Sequence, residues 1–436
     1  MINQKLLCRA GIASYQGAFS SQLASIFNWP RKFATNTTLK QTAMVALLVT
    51  GFSLSNLSLA ENYTFIDLGE TLGGNESVAN AINNAGLVTG SISNLAANTS
   101  TAVLWNGGDV TYLGTLGGTG GFGYAINDAG VVVGSAFTAN NTAYHATQWN
   151  GITATDLGTL GGTNSQATAI NNAGLVVGSS TTDNNNYFHA TLWNETTATD
   201  LGTLGGNYSQ ATAINDAGLV AGYAYTTIDT TFRHATIWNS SGVTDLGTLG
   251  GDYSEATAIN DAGQVVGFSY LAGNAIRHAS LWNGTTVTDL GTLGGLNSVA
   301  NDINNAGQIV GSSNILNDGG EFYIPADLYH AALWQDSSVT DLNNFLDANT
   351  VSAGWVLTMA LGINDNGWIV GSATNSVLGI RSRPFLLIPP VSIPLPAAIW
   401  LFCSGLICLT ALTRSSAVIT LSCSPNTCHS VESQDT

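Results

Sequence analysis

Between residues 63 and 388 the apolar positions fall in short runs, four to a unit, and the unit repeats along the chain. In one copy the runs are SQATAIN (165–171), GLVVGSS (174–180), HATLWN (189–194) and TATDLGTL (197–204). Each is rich in Val, Ile, Leu, Thr or Trp and is bounded by Asn, Asp or Gly, the composition of half-buried strands joined by tight turns. None places apolar residues at helical spacing, so strands alone are expected. Between the first two runs stand Asn171, Asn172, Ala173 and Gly174, and INDAG or INNAG recurs in most units. That phrase supplies the Asn and Gly that a tight turn uses where φ becomes positive, and Gly161 and Gly162 are read the same way between units.

The period separates architectures. The phrase beginning at Asp67 returns with its leucine at 68, 113, 157, 201, 246, 290 and 342, in steps of 45, 44, 44, 45, 44 and 52. A unit of this length matches a propeller blade, whereas β-helix rungs are shorter. The series opens on a fourth run, YTFIDLG (63–69), and closes on a third, RPFLLI (383–388). If the first strand pairs onto the last blade, every blade has four strands and no exposed edge is left to cap. The expected fold is therefore all-β: a closed propeller of about seven four-stranded blades over residues 61–390, its N-terminal strand closing the last blade, with hydrophobic helices at both ends.

Charge narrows the range of partners. Lysines and arginines number 10 against 27 acidic residues, and from 61 to 392 there are 25 carboxylates and only Arg233, Arg277, Arg381 and Arg383. Such a field repels nucleic acid and anionic lipid, which leaves the terminal segments as the expected contact with membrane. Cys8, Cys403, Cys408, Cys423 and Cys428 all lie outside the repeats, so no disulfide framework or thiolate metal site is expected within them.

Residues 43–60, AMVALLVTGFSLSNLSLA, follow Lys40 as an apolar run ending in Ser58 and Ala60. This is the layout of a secretory signal, with 1–60 as the signal segment and its basic region extended, and cleavage is expected between Ala60 and Glu61. At the far end, residues 393–412 give 20 mostly apolar positions, ~30 Å as a helix and about one bilayer core. The string from Pro394, Leu395, Pro396, Ala397 and Ala398 through the apolar stretch to Arg414 resembles the VPLPA-type sorting signal, a relative of the PEP-CTERM signals. That resemblance implies a sorting enzyme of the exosortase type and a place at the cell surface or outside the cell, with 391–414 as the sorting or spanning segment and 415–436 as a disordered tail.

The repeats themselves resemble the extracellular HAF repeat family, through His145-Ala146-Thr147, His189-Ala190-Thr191, His234-Ala235-Thr236, His278-Ala279-Ser280 and His330-Ala331-Ala332. The resemblance spans 63 to about 388 and implies an exported repeat protein.

Candidate sites divide by whether they repeat. Histidine at five equivalent places reads as structure, since one active site needs one constellation, and the place holds Thr101 in the first unit and Arg383 in the last. Trp105, Trp149, Trp193, Trp238, Trp282 and Trp334 read as wedges between blades; stacking on carbohydrate would need exposed rings. Asp128, Asp216, Asp261 and Asp365 in the INDAG loops give one carboxylate each, a weak case for calcium, so no cofactor is expected. The lengthened sixth unit breaks the repeat, and its Asp318, Glu321, Tyr323 and Asp327 are the candidate ligand-binding residues. The functional expectation is a non-catalytic surface or matrix protein, either a structural scaffold or one that binds an extracellular polysaccharide or surface protein. The alternative is an extracellular glycosidase or lyase on the same scaffold, which would need non-repeating paired acids.

Overall fold

The computed structural model describes residues 62–390 apart from 70–75, 95–98, 184–186, 229–231 and 316–328. Among these residues every repeat folds as a four-stranded antiparallel sheet, and seven such sheets make up a β-propeller. In the third blade the strands, from the centre outward, are Gly161–Ile170, Val176–Thr182, Phe188–Asn194 and Thr197–Asp200. The inner strand begins four residues before the apolar run, because Gly161 pairs with Thr182 across a register shift. The outer strand stops at Asp200, whose side chain accepts the Gly202 amide at 2.7 Å and turns the chain toward the next blade.

Closure occurs as expected. Thr64–Asp67 is the outermost strand of the seventh blade, with Thr64 opposite Ile388 and Asp67 opposite Phe385. The Tyr63 amide donates to Phe345 O at 2.9 Å, the Leu68 amide donates to Pro384 O at 3.0 Å, and the Arg383 guanidinium meets Asp67 at 2.9 Å. The connection into this blade also departs from strand, with a turn of 3-10 helix at Leu342–Phe345 and a short α-helix at Ala348–Ser352 capped by Asp347. Periodicity gives no warning of them, since five residues are too few to show it. The segments expected as terminal helices lie outside the described residues.

The core lies between blades. Each of seven apolar clusters joins residues of two neighbours: Val133 and Ala146 of blade 2, for example, pack with Ala167, Ile170, Val176 and Trp193 of blade 3. The six repeat tryptophans are at most 3% exposed. They are the expected wedges, each burying on the order of 200 Å², or ~5 kcal/mol of gross stabilisation at ~25 cal/mol per Å². Leu387 takes the tryptophan's place opposite Ile369 in the seventh blade, where Trp355, Phe65 and Phe385 fill the space instead.

A bulge in the inner strand, between Ala167 and Ala169 in blade 3, recurs in all seven blades. It presses the inner backbone onto a glycine of the second strand: a Cβ on Gly178 would stand 1.9 Å from Gln166 O. Glycine is required there for approach, not for turning.

Candidate functional site

The loops joining the first and second strands converge around the central axis and line a cavity of about 300 Å³. Within each loop one asparagine has two duties. Asn171 Oδ1 accepts the Leu175 amide at 2.9 Å and shapes the turn, while its Nδ2 donates to Asn215 O in the next blade at 3.1 Å. The same donation runs from Asn83 to Asn127, Asn127 to Asn171, Asn215 to Asn260, Asn260 to Asn304, Asn304 to Asn364 and Asn364 back to Asn83. The result is an unbroken, buried circuit of seven side-chain hydrogen bonds. Positive φ falls on Gly174 alone in this loop, at 84°, so the expected sharing of that role with asparagine is corrected: asparagine is present for its amide. Between units Gly161, at 100°, is likewise the left-handed residue, and Gly162 is not.

A second circuit lies just outside the first, through Asn84, Asp128, Asn172, Asp216, Asp261, Asn305 and Asp365. Each backbone amide donates to the next residue's side-chain oxygen at 2.8–3.0 Å. The three asparagine amides bridge the carboxylates on either side, as Asn172 does to Asp128 at 3.2 Å and Asp216 at 3.0 Å. These aspartates therefore serve turn and ring geometry. No group of three or more metal-ligating side chains occurs among the described residues.

The repeated histidines take a second structural position. Nδ1 of His145, His189 and His234 lies 2.7 Å from Asp156, Asp200 and Asp245; His278 meets Asp289 at 2.8 Å and His330 meets Asp341 at 2.5 Å. The same aspartates accept the amide two residues on, which turns the chain out of the blade. Burial works to raise the carboxyls of Asp200, Asp245 and Asp341. Hydrogen bonds from their histidines and from those amides outweigh it and leave each below the ordinary value. In the seventh blade the pair becomes Arg383 and Asp67.

No family model and no curated protein matches this chain.

Of the residues singled out for ligand, Asp318, Glu321, Tyr323 and Asp327 lie outside the described residues, as do Ala60, Glu61, Pro394, Leu395, Pro396, Ala397, Ala398 and Arg414. Symmetry breaking nevertheless has a second, described locus. In blade 2, Phe122 of the inner strand stands opposite Ser135, and Phe137 stands opposite Tyr144. With Tyr124, Ala136 and Gln166 of blade 3 they line a cleft of about 230 Å³. The Phe122 and Tyr124 rings are nearly parallel, 9° apart with centroids at 6.2 Å. Further aromatic groups follow on blades 3 to 5, where Tyr208 lies 5.9 Å from Phe188 and 5.4 Å from Tyr225, and Tyr253 lies 5.6 Å from both Phe232 and Tyr270.

Asp302 is also unrepeated. It occupies the bulge position held by Ala169 and Ala213 elsewhere, and accepts the amides of Ile303 at 2.9 Å and Ile363 at 2.8 Å. Burial raises its carboxyl to about 7 against the pull of those two bonds, and Asp365 adds to the rise. The sequence signal for both places is an odd residue in an otherwise regular column, which becomes visible once the blades are aligned on the glycine at 178.

Proposed function

We propose that this β-propeller is an exported, non-catalytic protein of the cell surface or extracellular matrix that binds polysaccharide. One observation carries the reading: the repeated polar side chains hold the ring together, while a set of aromatic residues that depart from the repeat gathers across blades 2 to 5. Aromatic faces recognise the apolar sides of sugar rings and leave hydroxyls free for hydrogen bonding. Asp302, the acid among the described residues whose proton affinity best suits acid catalysis, engages both carboxyl oxygens with backbone amides of its own ring. The apolar run before Glu61 and the PLPAA-led segment support export and surface sorting.

Two measurements test this. Purified protein is applied to arrayed neutral and anionic polysaccharides, with and without calcium, and the size of each retained polymer is followed. Retention without shortening is expected; shortening of a polymer replaces the reading with a glycosidase or lyase, and absence of retention on every polymer removes it. N-terminal sequencing of the exported form is expected to begin at Glu61, and recovery of all of the chain in the cytoplasm refutes export.

A further inference from the structure

We infer that the cleft between blades 2 and 3 is a subsite for one uncharged pyranose ring of the polysaccharide, clasped by Phe122, Tyr124, Phe137 and Tyr144 and oriented by Gln166 and Ser135. The inference rests on the polysaccharide reading above and narrows it to a place and a sugar class. Among the described residues this cleft is the most aromatic of seven equivalent positions. Where blade 2 has Phe122, Tyr124, Phe137 and Tyr144, blade 1 has Val78, Asn80, Ser93 and Ser100. A residue needed only to build a blade has no reason to differ so completely between neighbours on the same scaffold.

Size and charge define the occupant. The cleft, at about 230 Å³, is smaller than the ~300 Å³ at which pockets begin to enclose larger organic ligands. It therefore accommodates one ring, not an oligomer. Its lining holds no charged side chain, in a propeller with 25 carboxylates and four arginines between 61 and 392. An anionic sugar would meet the field of the whole molecule with no local cation to receive it. A neutral ring meets the negative faces of the aromatic groups with its C–H bonds, and finds the Gln166 amide and the tyrosine hydroxyls for its own hydroxyls. Burial pushes the Tyr124 and Tyr144 hydroxyls above the usual phenol range, and a hydrogen bond between Tyr124 and Ser135 pulls the former back, which holds those two hydroxyls together at one side of the cleft.

The ring supplies its own control substitutions. Ser100 and Ser382 stand where blade 2 has Tyr144, and Thr181 and Thr374 stand where it has Phe137. The full chain and its Y144S/F137T variant are titrated with neutral gluco-, galacto-, manno- and N-acetylglucosamine tetrasaccharides and with a tetragalacturonate, by calorimetry and by saturation-transfer NMR. The expected result is binding of at least one neutral tetrasaccharide, with saturation strongest on one C–H face, and at least tenfold weaker binding by the variant. Gln166→Val, which copies Val78 and Val299, is expected to weaken it severalfold and serves if the double variant does not fold. Equal binding by wild type and variants overturns the subsite and leaves the polysaccharide reading standing. Binding of tetragalacturonate alone overturns the subsite as well. Retention of no polymer on the array, together with no tetrasaccharide binding, removes both.

Discussion

Substituting Asn171 by aspartate changes one group in the inner circuit and almost nothing in the volume of the side chain. The remaining Oδ1 can still accept the Leu175 amide, but the atom that donated to Asn215 O at 3.1 Å becomes an oxygen facing an oxygen. Asn171 is 4% exposed, so water does not relieve the contact. A buried carbonyl left without its donor costs ~1–3 kcal/mol. A charge placed against it adds to that, for ~3 kcal/mol or more in all. Urea unfolding at pH 7 should show the midpoint fall by that amount divided by the slope. The loss should shrink on acidification, because the introduced carboxyl can donate again once it is protonated. Its affinity for a proton is higher in the fold than in the unfolded chain, so the penalty grows as pH rises above ~4, the ordinary carboxyl range. Asp216→Asn is the matched control. It alters the exposed outer circuit to the residue already present at 84, 172 and 305, and it removes a carboxylate next to Asp261. Its stability should change by less than ~0.5 kcal/mol or rise. Equal losses for the two variants would refute the inner circuit as a source of stability.

Asp302 predicts a second pH dependence. With its carboxyl at about 7 in the fold and ~3.9 unfolded, the folded state retains a proton that the unfolded state has released, so stability falls as pH rises from ~4 to about 7. The fall is at most ~4 kcal/mol, and Asp302→Asn should flatten it in urea titrations at stepped pH. The turn aspartates act in the opposite sense and lower: Asp200, Asp245 and Asp341 contribute stability that is lost as pH falls below ~4, and Asp200→Asn should reduce acid unfolding measured by circular dichroism. Gly178→Ala forces a methyl group against Gln166 O and should destabilise by several kcal/mol, whereas Gly202→Ala, with open space around it, should cost only the ~1–2 kcal/mol of a left-handed backbone. Asp67→Ala leaves Arg383 unpaired at the closing seam and should increase hydrogen exchange at 64–67 and 385–388 before any other strand pair.

The fold is legible in the sequence because the same conflict between apolar strands and polar turns is resolved the same way in each unit, and the mismatched ends, YTFIDLG and RPFLLI, disclose the closure. The buried tryptophans and the structural use of histidine are also readable, since repetition at a fixed place argues against a single constellation. The two asparagine circuits are not. The phrase INDAG reads locally as a turn, and nothing in it reveals that the Nδ2 of one copy reaches the carbonyl of the next, 44 residues away. The aromatic cleft is hidden for the converse reason. Phe122 and Tyr144 look like ordinary strand residues until the second and third strands place them beside Phe137, while the conspicuous insertion at 313–334 points to a different blade.

The pairing of Thr64 with Ile388 joins nearly the first and the last residues of the propeller. A ribosome therefore delivers one half of this seam long before the other, and six blades can assemble while Thr64–Asp67 has no partner. Contacts so far apart in sequence form slowly, so docking of this early-made strand is expected to come late in folding. Until then the nascent molecule is an open arc with a sticky edge at each end, and that is the stage at which two copies could exchange strands.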